Sequence, residues 1–181
     1  MRTEISLTAS GRRKENGGLN KFRNIRVWAD RGLTNITEAV KAGLIPESEI
    51  AYRFDSKLEL EVARLLSKPT IEVDGVTKAV VAWQYHDAKI NFENLGTWRP
   101  DFECTFWEEY GMSRRVIEVK GRPTPLAKKQ LAAARSRGIV LIMAYRDGSR
   151  IKFSQYDRWL EWWRGQEKEG RRRRRVIARL R

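Results

Sequence analysis

The 181-residue chain has very few thiol and imidazole groups. Cys104 is its only cysteine and His86 its only histidine. One thiol cannot form a disulfide within the chain, and one thiol with one imidazole cannot complete a zinc site of the Cys/His type. The same scarcity excludes a nuclease centre built from several histidines. We therefore expect any metal ion held by this chain to be bound by carboxylates.

The sequence also lacks an apolar stretch long enough to cross a membrane, and its N-terminus lacks a signal-peptide pattern. We expect a soluble, cytoplasmic protein with neither a membrane nor a small-molecule cofactor as partner. Hydrophobic residues make up 41% of the chain and seven residues are tryptophan. This composition is typical of one packed domain with extended termini.

Positive charge is concentrated at the two ends of the chain. The net charge is +14, of which residues 1–26 carry +5 and residues 164–181 carry +7. The densest run is Arg171, Arg172, Arg173, Arg174 and Arg175. Basic arms of this kind suit a phosphate backbone, although a solvated tail that only aids solubility has the same composition. We interpret them as DNA-binding segments.

The central motif lies between Pro100 and Gly121. Glu118 and Lys120 stand two apart in an apolar run, so in a strand both side chains project from one face. A hairpin would bring Asp101 beside them. Two carboxylates and one amine are the parts that magnesium-dependent phosphodiester cleavage requires. The alternatives are a surface Glu118–Lys120 ion pair and an ordinary turn at Pro100-Asp101, with Glu103 on the same face as a substitute for Asp101.

A helix is predicted from about Ser56 to Leu66, because apolar residues recur there at helical spacing. Ser56-x-x-Glu59 fits a capping box, in which Glu59 bonds back to the start of the helix. The local pattern favours this role for Glu59 as much as it favours metal ligation. Glu61, on another face, is the reserve candidate.

Three motifs in order resemble a known family: Phe54-x-Ser56-x-x-Glu59, then Pro100-Asp101-Phe102, then Glu118-x-Lys120-Gly121. This order is similar to the PD-(D/E)XK nuclease superfamily, and within it to the phage endonuclease I family of Holliday-junction resolvases. The similarity covers roughly residues 52 to 145. One departure is the long segment between Glu59 and Asp101, which contains its own Asp74-Gly75 hairpin signal.

The resemblance implies a metal-dependent endodeoxyribonuclease that cuts branched DNA as a homodimer during phage recombination or replication. Glu59, Asp101 and Glu118, with the carbonyl of Val119, would bind one or two Mg²⁺ ions, with Mn²⁺ tolerated. Lys120 would be the catalytic lysine. Two alternatives stay open: a nuclease of the same fold with another task, such as a transposase subunit, a restriction-like subunit or a DNA-degrading enzyme, and a non-catalytic DNA-binding or regulatory protein.

The expected fold class is α/β with a restriction-endonuclease-like core: a helix, three mostly antiparallel strands, a second helix and a parallel strand. We divide the chain into a basic arm with a short helix (1–50), the core with a C-terminal aromatic helix (51–165) and an arginine-rich tail (166–181). The aromatic helix is predicted to start at a Ser154 cap and to end at Gly165.

Basic side chains near the motifs are the candidates for contact with the DNA backbone. Besides the tail, they are Arg99, Arg114, Arg115, Arg122, Lys128 and Lys129. Gln84, Gln130 and His86 are weaker candidates for the site. We interpret His86 as a surface or edge histidine.

Overall fold

A computed structural model describes residues 25–120 and 123–179 of the chain. The predictions for residues 1–24, Gly121 and Arg122 lie outside this part. The described part holds ten strands: β1 Val27–Ala29, β2 Tyr52–Phe54, β3 Thr70–Val73, β4 Val76–Tyr85, β5 Ile90–Phe92, β6 Gly96–Trp98, β7 Phe102–Glu108, β8 Gly111–Val119, β9 Leu141–Asp147 and β10 Arg150–Gln155. It also holds four α-helices: α1 Thr37–Lys41, α2 Lys57–Leu66, α3 Pro125–Ser136 and α4 Tyr156–Arg179. Within the described ranges, no helix is long and apolar enough to cross a membrane.

Six strands form a closed barrel in the order β10-β3-β4-β7-β8-β9. The neighbours pair antiparallel, except that β8 pairs parallel with β9 and β10 pairs parallel with β3. The predicted fold class is therefore wrong: the sheet is not a restriction-endonuclease-like core of three strands plus one. The parallel β8–α3–β9 connection itself was predicted, because a strand–helix–strand unit of this length favours it.

The barrel closes at the Asp74-Gly75 turn, whose two residues both have positive φ, as a tight hairpin requires. The N–H of Asp74 donates to the carbonyl of Phe153 at 3.1 Å. Its carboxylate accepts hydrogen bonds from the N–H of Gln155, at 2.9 Å, and from the hydroxyl of Ser154. Thus Ser154, predicted as the cap of α4, instead donates to a carboxylate brought from the β3–β4 turn.

Helix α2 packs against inward-facing residues of the barrel strands and against β1 and β2, which explains the apolar spacing of its sequence. Its buried residues Leu60, Val62, Ala63 and Leu66 share one core with inward-facing strand residues, among them Phe102 and Ile117. The hydroxyl of Ser56 accepts a hydrogen bond from the N–H of Glu59, at 3.2 Å, and this caps the helix. The predicted helix and its cap are both observed, and the cap holds Glu59 at the helix start.

A second core covers the outer face of β8 and β9. Helices α3 and α4 and the β5–β6 hairpin contribute to it, including Leu131, Trp98 and the fully buried Trp159. The β5–β6 pairing lies within and next to the segment from Asp87 to Gly96. One detail of the sequence prediction is wrong here. Helix α4 does not end at Gly165 but continues to Arg179, across the predicted boundary between core and tail.

Candidate metal centre

Asp101 and Glu118 meet where β7 begins and β8 ends. The antiparallel register pairs Phe102 with Ile117, so the residue before one strand lies beside the end of the other. Asp101 accepts a hydrogen bond on Oδ2 from the N–H of Val119, at 2.6 Å. This backbone bond fixes the Asp101 carboxylate at the end of β8, next to Glu118.

Glu118 is buried: only 2% of the residue is exposed. One carboxylate oxygen forms an ion pair with the Nζ of Lys120, and the other accepts a hydrogen bond from the Nε1 of Trp98 at 3.2 Å. The alternative of a surface Glu118–Lys120 pair is therefore wrong. Removing two charges from water costs several kcal/mol per ion, so a buried pair of this kind is rarely kept for stability alone.

Glu59 serves as a helix cap and as a member of the centre at the same time. Its Oε2 accepts hydrogen bonds from the N–H of Asp55, at 2.8 Å, and from the hydroxyl of Tyr85, at 2.6 Å. Its Oε1 accepts one from the hydroxyl of Ser56, at 2.8 Å. The capping interpretation is confirmed, yet the same carboxylate lies close to Asp101. The two roles that the sequence left open are compatible.

His86 lies at the centre, although the sequence interpretation made it only a weaker candidate and favoured a surface or edge histidine. It follows β4 directly and has a φ of 54°, an uncommon conformation for a residue with a side chain. Its ring stacks on Tyr85, and its Nε2 lies 3.5 Å from Oδ1 of Asp101. Ligand atoms of Glu59, His86 and Asp101 all lie within 4.8 Å of one another. The available signal was that the chain's only histidine follows a predicted strand.

The electrostatics of the centre indicate an excess of negative charge. Burial, followed by the charge of Asp101, raises the pKa of Glu59. Burial and the charge of Asp101 also raise the pKa of Glu118, against the opposing effect of Lys120. For Lys120, burial lowers the pKa, but the charges of Glu118 and Asp101 more than offset it and the pKa is raised. The centre therefore keeps Lys120 protonated and still repels further negative charge.

These observations fit a divalent cation. Carboxylate oxygens are hard ligands, which Mg²⁺ and Mn²⁺ prefer, and a cation among them would relieve the repulsion between Asp101 and its two acidic neighbours. The thiol of Cys104 is not a candidate nucleophile or metal ligand, because burial raises its pKa to about 12.

The reserve candidates lie elsewhere. Glu61 forms an ion pair with Arg146, and Glu103 forms one with Arg114. Gln130 is buried and donates from Nε2 to the carbonyl of Leu95 at 3.0 Å, which ties α3 to the β5–β6 turn. Gln84 is exposed on β4. Asp101, rather than Glu103, is thus the carboxylate that joins the centre.

Some of the candidate DNA-contacting residues are exposed, and others form ion pairs with acidic side chains. Arg99, Lys129, Arg171 and Arg172 are exposed. Arg115 pairs with Glu108, and Lys128 pairs with Glu167 while lying 5.6 Å from the ring centre of Trp163. Arg173, Arg174 and Arg175 belong to α4. Contact of any of these residues with DNA stays a prediction.

Comparison of the chain with models of protein families, with curated proteins and with solved structures finds no match.

Proposed function

We propose that this protein is a metal-dependent endodeoxyribonuclease that hydrolyses phosphodiester bonds in DNA. The observation that carries the proposal is the convergence of three acidic side chains on one lysine. Glu59, Asp101 and Glu118 come from α2, the start of β7 and the end of β8, and the charge of each raises the pKa of Lys120. The sequence motifs that suggested this chemistry are thus neighbours in the fold.

The metal would be held by Glu59, Asp101 and Glu118, with the carbonyl of Val119 and the imidazole of His86 as further donors. Mg²⁺ is the expected ion and Mn²⁺ the expected substitute, because oxygen ligands predominate. A bound divalent ion would supply charge stabilisation and lower the pKa of a water molecule that attacks the phosphate.

The chain's own residues would prepare this chemistry. Trp98 and Lys120 orient the Glu118 carboxylate, and the N–H of Val119 orients that of Asp101. Lys120 carries a stable positive charge at the mouth of the centre, since three carboxylates raise its pKa. We therefore assign Lys120 the stabilisation of phosphate charge and the donation of a proton or hydrogen bond, rather than the removal of a proton from water.

The partner is proposed to be DNA because of the basic ends and the resemblance of the motifs to phage nucleases. Branched DNA and a homodimer are proposed on that resemblance alone. Two symmetry-related cuts at a four-way junction would need two copies of the centre.

One assay tests the function. The wild-type protein is incubated with four-way junction, linear duplex and single-stranded DNA, in Mg²⁺ and in EDTA. We expect cutting in Mg²⁺ only, and most of it on the junction. Lys120→Ala should lose cutting, whereas Lys152→Ala should keep it, because Lys152 forms an exposed pair with Asp147. Binding without cutting by the wild type would favour a non-catalytic DNA-binding protein, and equal cutting of the three substrates would reject junction preference.

A further inference from the structure

A groove lies next to β1, in a part of the chain for which the sequence predicted no catalytic or metal-binding residue. It is formed by β1, α1 and β2, and we call it the β1–β2 groove. Its volume is about 350 Å³, and its wall includes Arg26, Trp28, Lys41, Arg53 and Asp55. A space of this size falls within the range that small ligands occupy in proteins.

The groove offers a flat aromatic surface covered by a guanidinium group. Antiparallel pairing of β1 and β2 sets Trp28 opposite Arg53. The guanidinium carbon of Arg53 lies 5.6 Å from the centre of the Trp28 ring. Trp28 is only partly buried, and Arg53 is exposed. Aromatic rings and guanidinium planes are the surfaces on which unpaired bases stack in proteins that bind single strands.

Three cations surround this surface, and each has an exposed acidic partner. Arg26 lies 3.4 Å from Asp55, Lys41 lies 3.0 Å from Glu38, and Arg53 lies 3.3 Å from Glu47. The side chains of all three cations are more than half exposed. Exposed ion pairs of this kind contribute little to stability. Phosphate groups can therefore take the place of these carboxylates at small cost.

The groove and the candidate metal centre are linked through Asp55. Asp55 lines the groove, and its backbone N–H donates to Glu59 at 2.8 Å and to the hydroxyl of Tyr85 at 3.1 Å. Asp55 thus lines the groove and, through its N–H, also holds the proposed metal ligand Glu59. The groove therefore borders the residue that precedes the cap of α2, four positions from Glu59.

We infer that the β1–β2 groove binds one unpaired nucleotide of a DNA strand, next to the phosphate that is cut. The base stacks on Trp28 and Arg53, and the flanking phosphates contact Arg26 and Lys41. The inference rests on the proposed nuclease function and sharpens it. Bases in an intact duplex are already stacked on each other and cannot enter, so the groove selects DNA in which a base is free, as at forks and at opened junctions.

The test measures binding without cutting, in EDTA, so that it does not depend on catalysis. The probes are a forked DNA with one 2-aminopurine in its unpaired arm and a blunt duplex of the same length. Anisotropy gives affinity, and 2-aminopurine fluorescence reports stacking. We expect Trp28→Ala to weaken binding of the fork by about tenfold and to abolish the fluorescence change, with the blunt duplex unaffected.

Trp107→Ala is the matched control, because Trp107 is an exposed tryptophan on β7 away from the groove. It should leave both probes unchanged. Arg53→Gln changes an exposed side chain, so it tests the groove even if Trp28→Ala misfolds. It should weaken fork binding and reduce the 2-aminopurine fluorescence change. Arg26→Gln, which removes a proposed phosphate contact, should instead lower the slope of log affinity against log salt by about 0.7, the value for a single-strand phosphate that is no longer neutralised.

Wild-type affinity and fluorescence in Trp28→Ala and Arg53→Gln would overturn the inference, even if the protein cuts DNA in Mg²⁺. Loss of fork binding in these variants, with no cutting by the wild type, would keep the groove as a binding site and reject the nuclease function. The two proposals can therefore fail separately.

Discussion

The Glu118–Lys120 pair and the Asp147–Lys152 pair have the same chemistry but very different surroundings. In the first, the carboxylate side chain is 3% exposed, and a second carboxylate raises the pKa of both partners. In the second, which spans the β9–β10 hairpin, the side chains are 53% and 34% exposed. Water and salt screen the electrostatic interaction of the exposed pair, whereas that of the buried pair is screened much less. Burial and crowding, not residue type, mark the candidate centre.

The greatest loss of activity should come from breaking the buried cluster at Asp101. Asp101→Asn keeps an oxygen that can accept from the N–H of Val119 but removes the charge. We expect the rate of DNA cutting in Mg²⁺ to fall by about 100-fold or more, the scale on which positioned charge and acid–base groups act. Single-turnover cleavage of a labelled junction gives the rate.

Glu103→Gln is its control, because the Glu103 side chain is about as exposed as that of Asp101, 18% against 13%, but pairs with Arg114 outside the centre. Its rate should stay within about twofold of the wild type, because a pair with a mostly exposed arginine contributes little. Equal losses in the two variants would show that a position in the centre gives a carboxylate no special functional meaning.

The exposed charges should act on binding rather than on chemistry. Ending the chain after Gly170 removes seven arginines but retains Glu167, the partner of Lys128. We expect weaker DNA binding and a smaller slope of log affinity against log salt, by about 0.9 for each duplex phosphate that the tail neutralises. At saturating protein, Mg²⁺-dependent cutting should persist.

A titration of DNA binding between 50 and 300 mM salt, roughly the range where this dependence is steep, measures the slope. An unchanged slope would remove the role given to the tail.

A smaller effect should appear in the stability of the metal-free protein. Burial and the charge of Asp101 raise the folded-state pKa of Glu59 above its ordinary value of 4.5. The stability that the protonated carboxyl provides is complete below that ordinary value and is lost as pH rises through the folded-state pKa. In EDTA, Glu59→Gln should therefore be more stable than the wild type near neutral pH, by on the order of 1 kcal/mol. The difference should shrink as pH falls towards 4.5.

Urea unfolding at several pH values measures this difference. A Glu59→Gln protein that is less stable than the wild type near neutral pH would mean that capping outweighs repulsion at this position. Glu61→Gln is the control, because its pair with Arg146 is partly exposed.

Local patterns in the sequence predicted those parts of the site that depend on neighbours along the chain. The two-residue period of a strand placed Glu118 and Lys120 on one face, and the cap pattern placed Glu59 at the start of α2. Tertiary contacts supplied the rest. Trp98 reaches Glu118 across twenty positions, and His86, whose backbone has a positive φ, lies beside Asp101 from the end of another strand.

The fold class was wrong for a related reason. Closure of the barrel depends on Asp74, which bonds to the chain around Ser154, eighty positions away. A hairpin signal such as Asp74-Gly75 predicts its own turn but not the distant strand that the turn meets. Likewise, Gly165 alone does not end α4. Packing of Trp159 and Trp163 in the second core stabilises the helix.

Binding of Mn²⁺ is the plainest test of the proposed metal centre, because it requires neither DNA nor turnover. Free Mn²⁺ is counted by electron paramagnetic resonance as protein is added, for the wild type, Asp101→Asn and Glu103→Gln. We expect one or two ions to be bound by the wild type and by Glu103→Gln, with competition by Mg²⁺, and a large loss of affinity in Asp101→Asn. Equal Mn²⁺ binding by all three proteins, or none by the wild type, would contradict a metal centre at Glu59, Asp101 and Glu118.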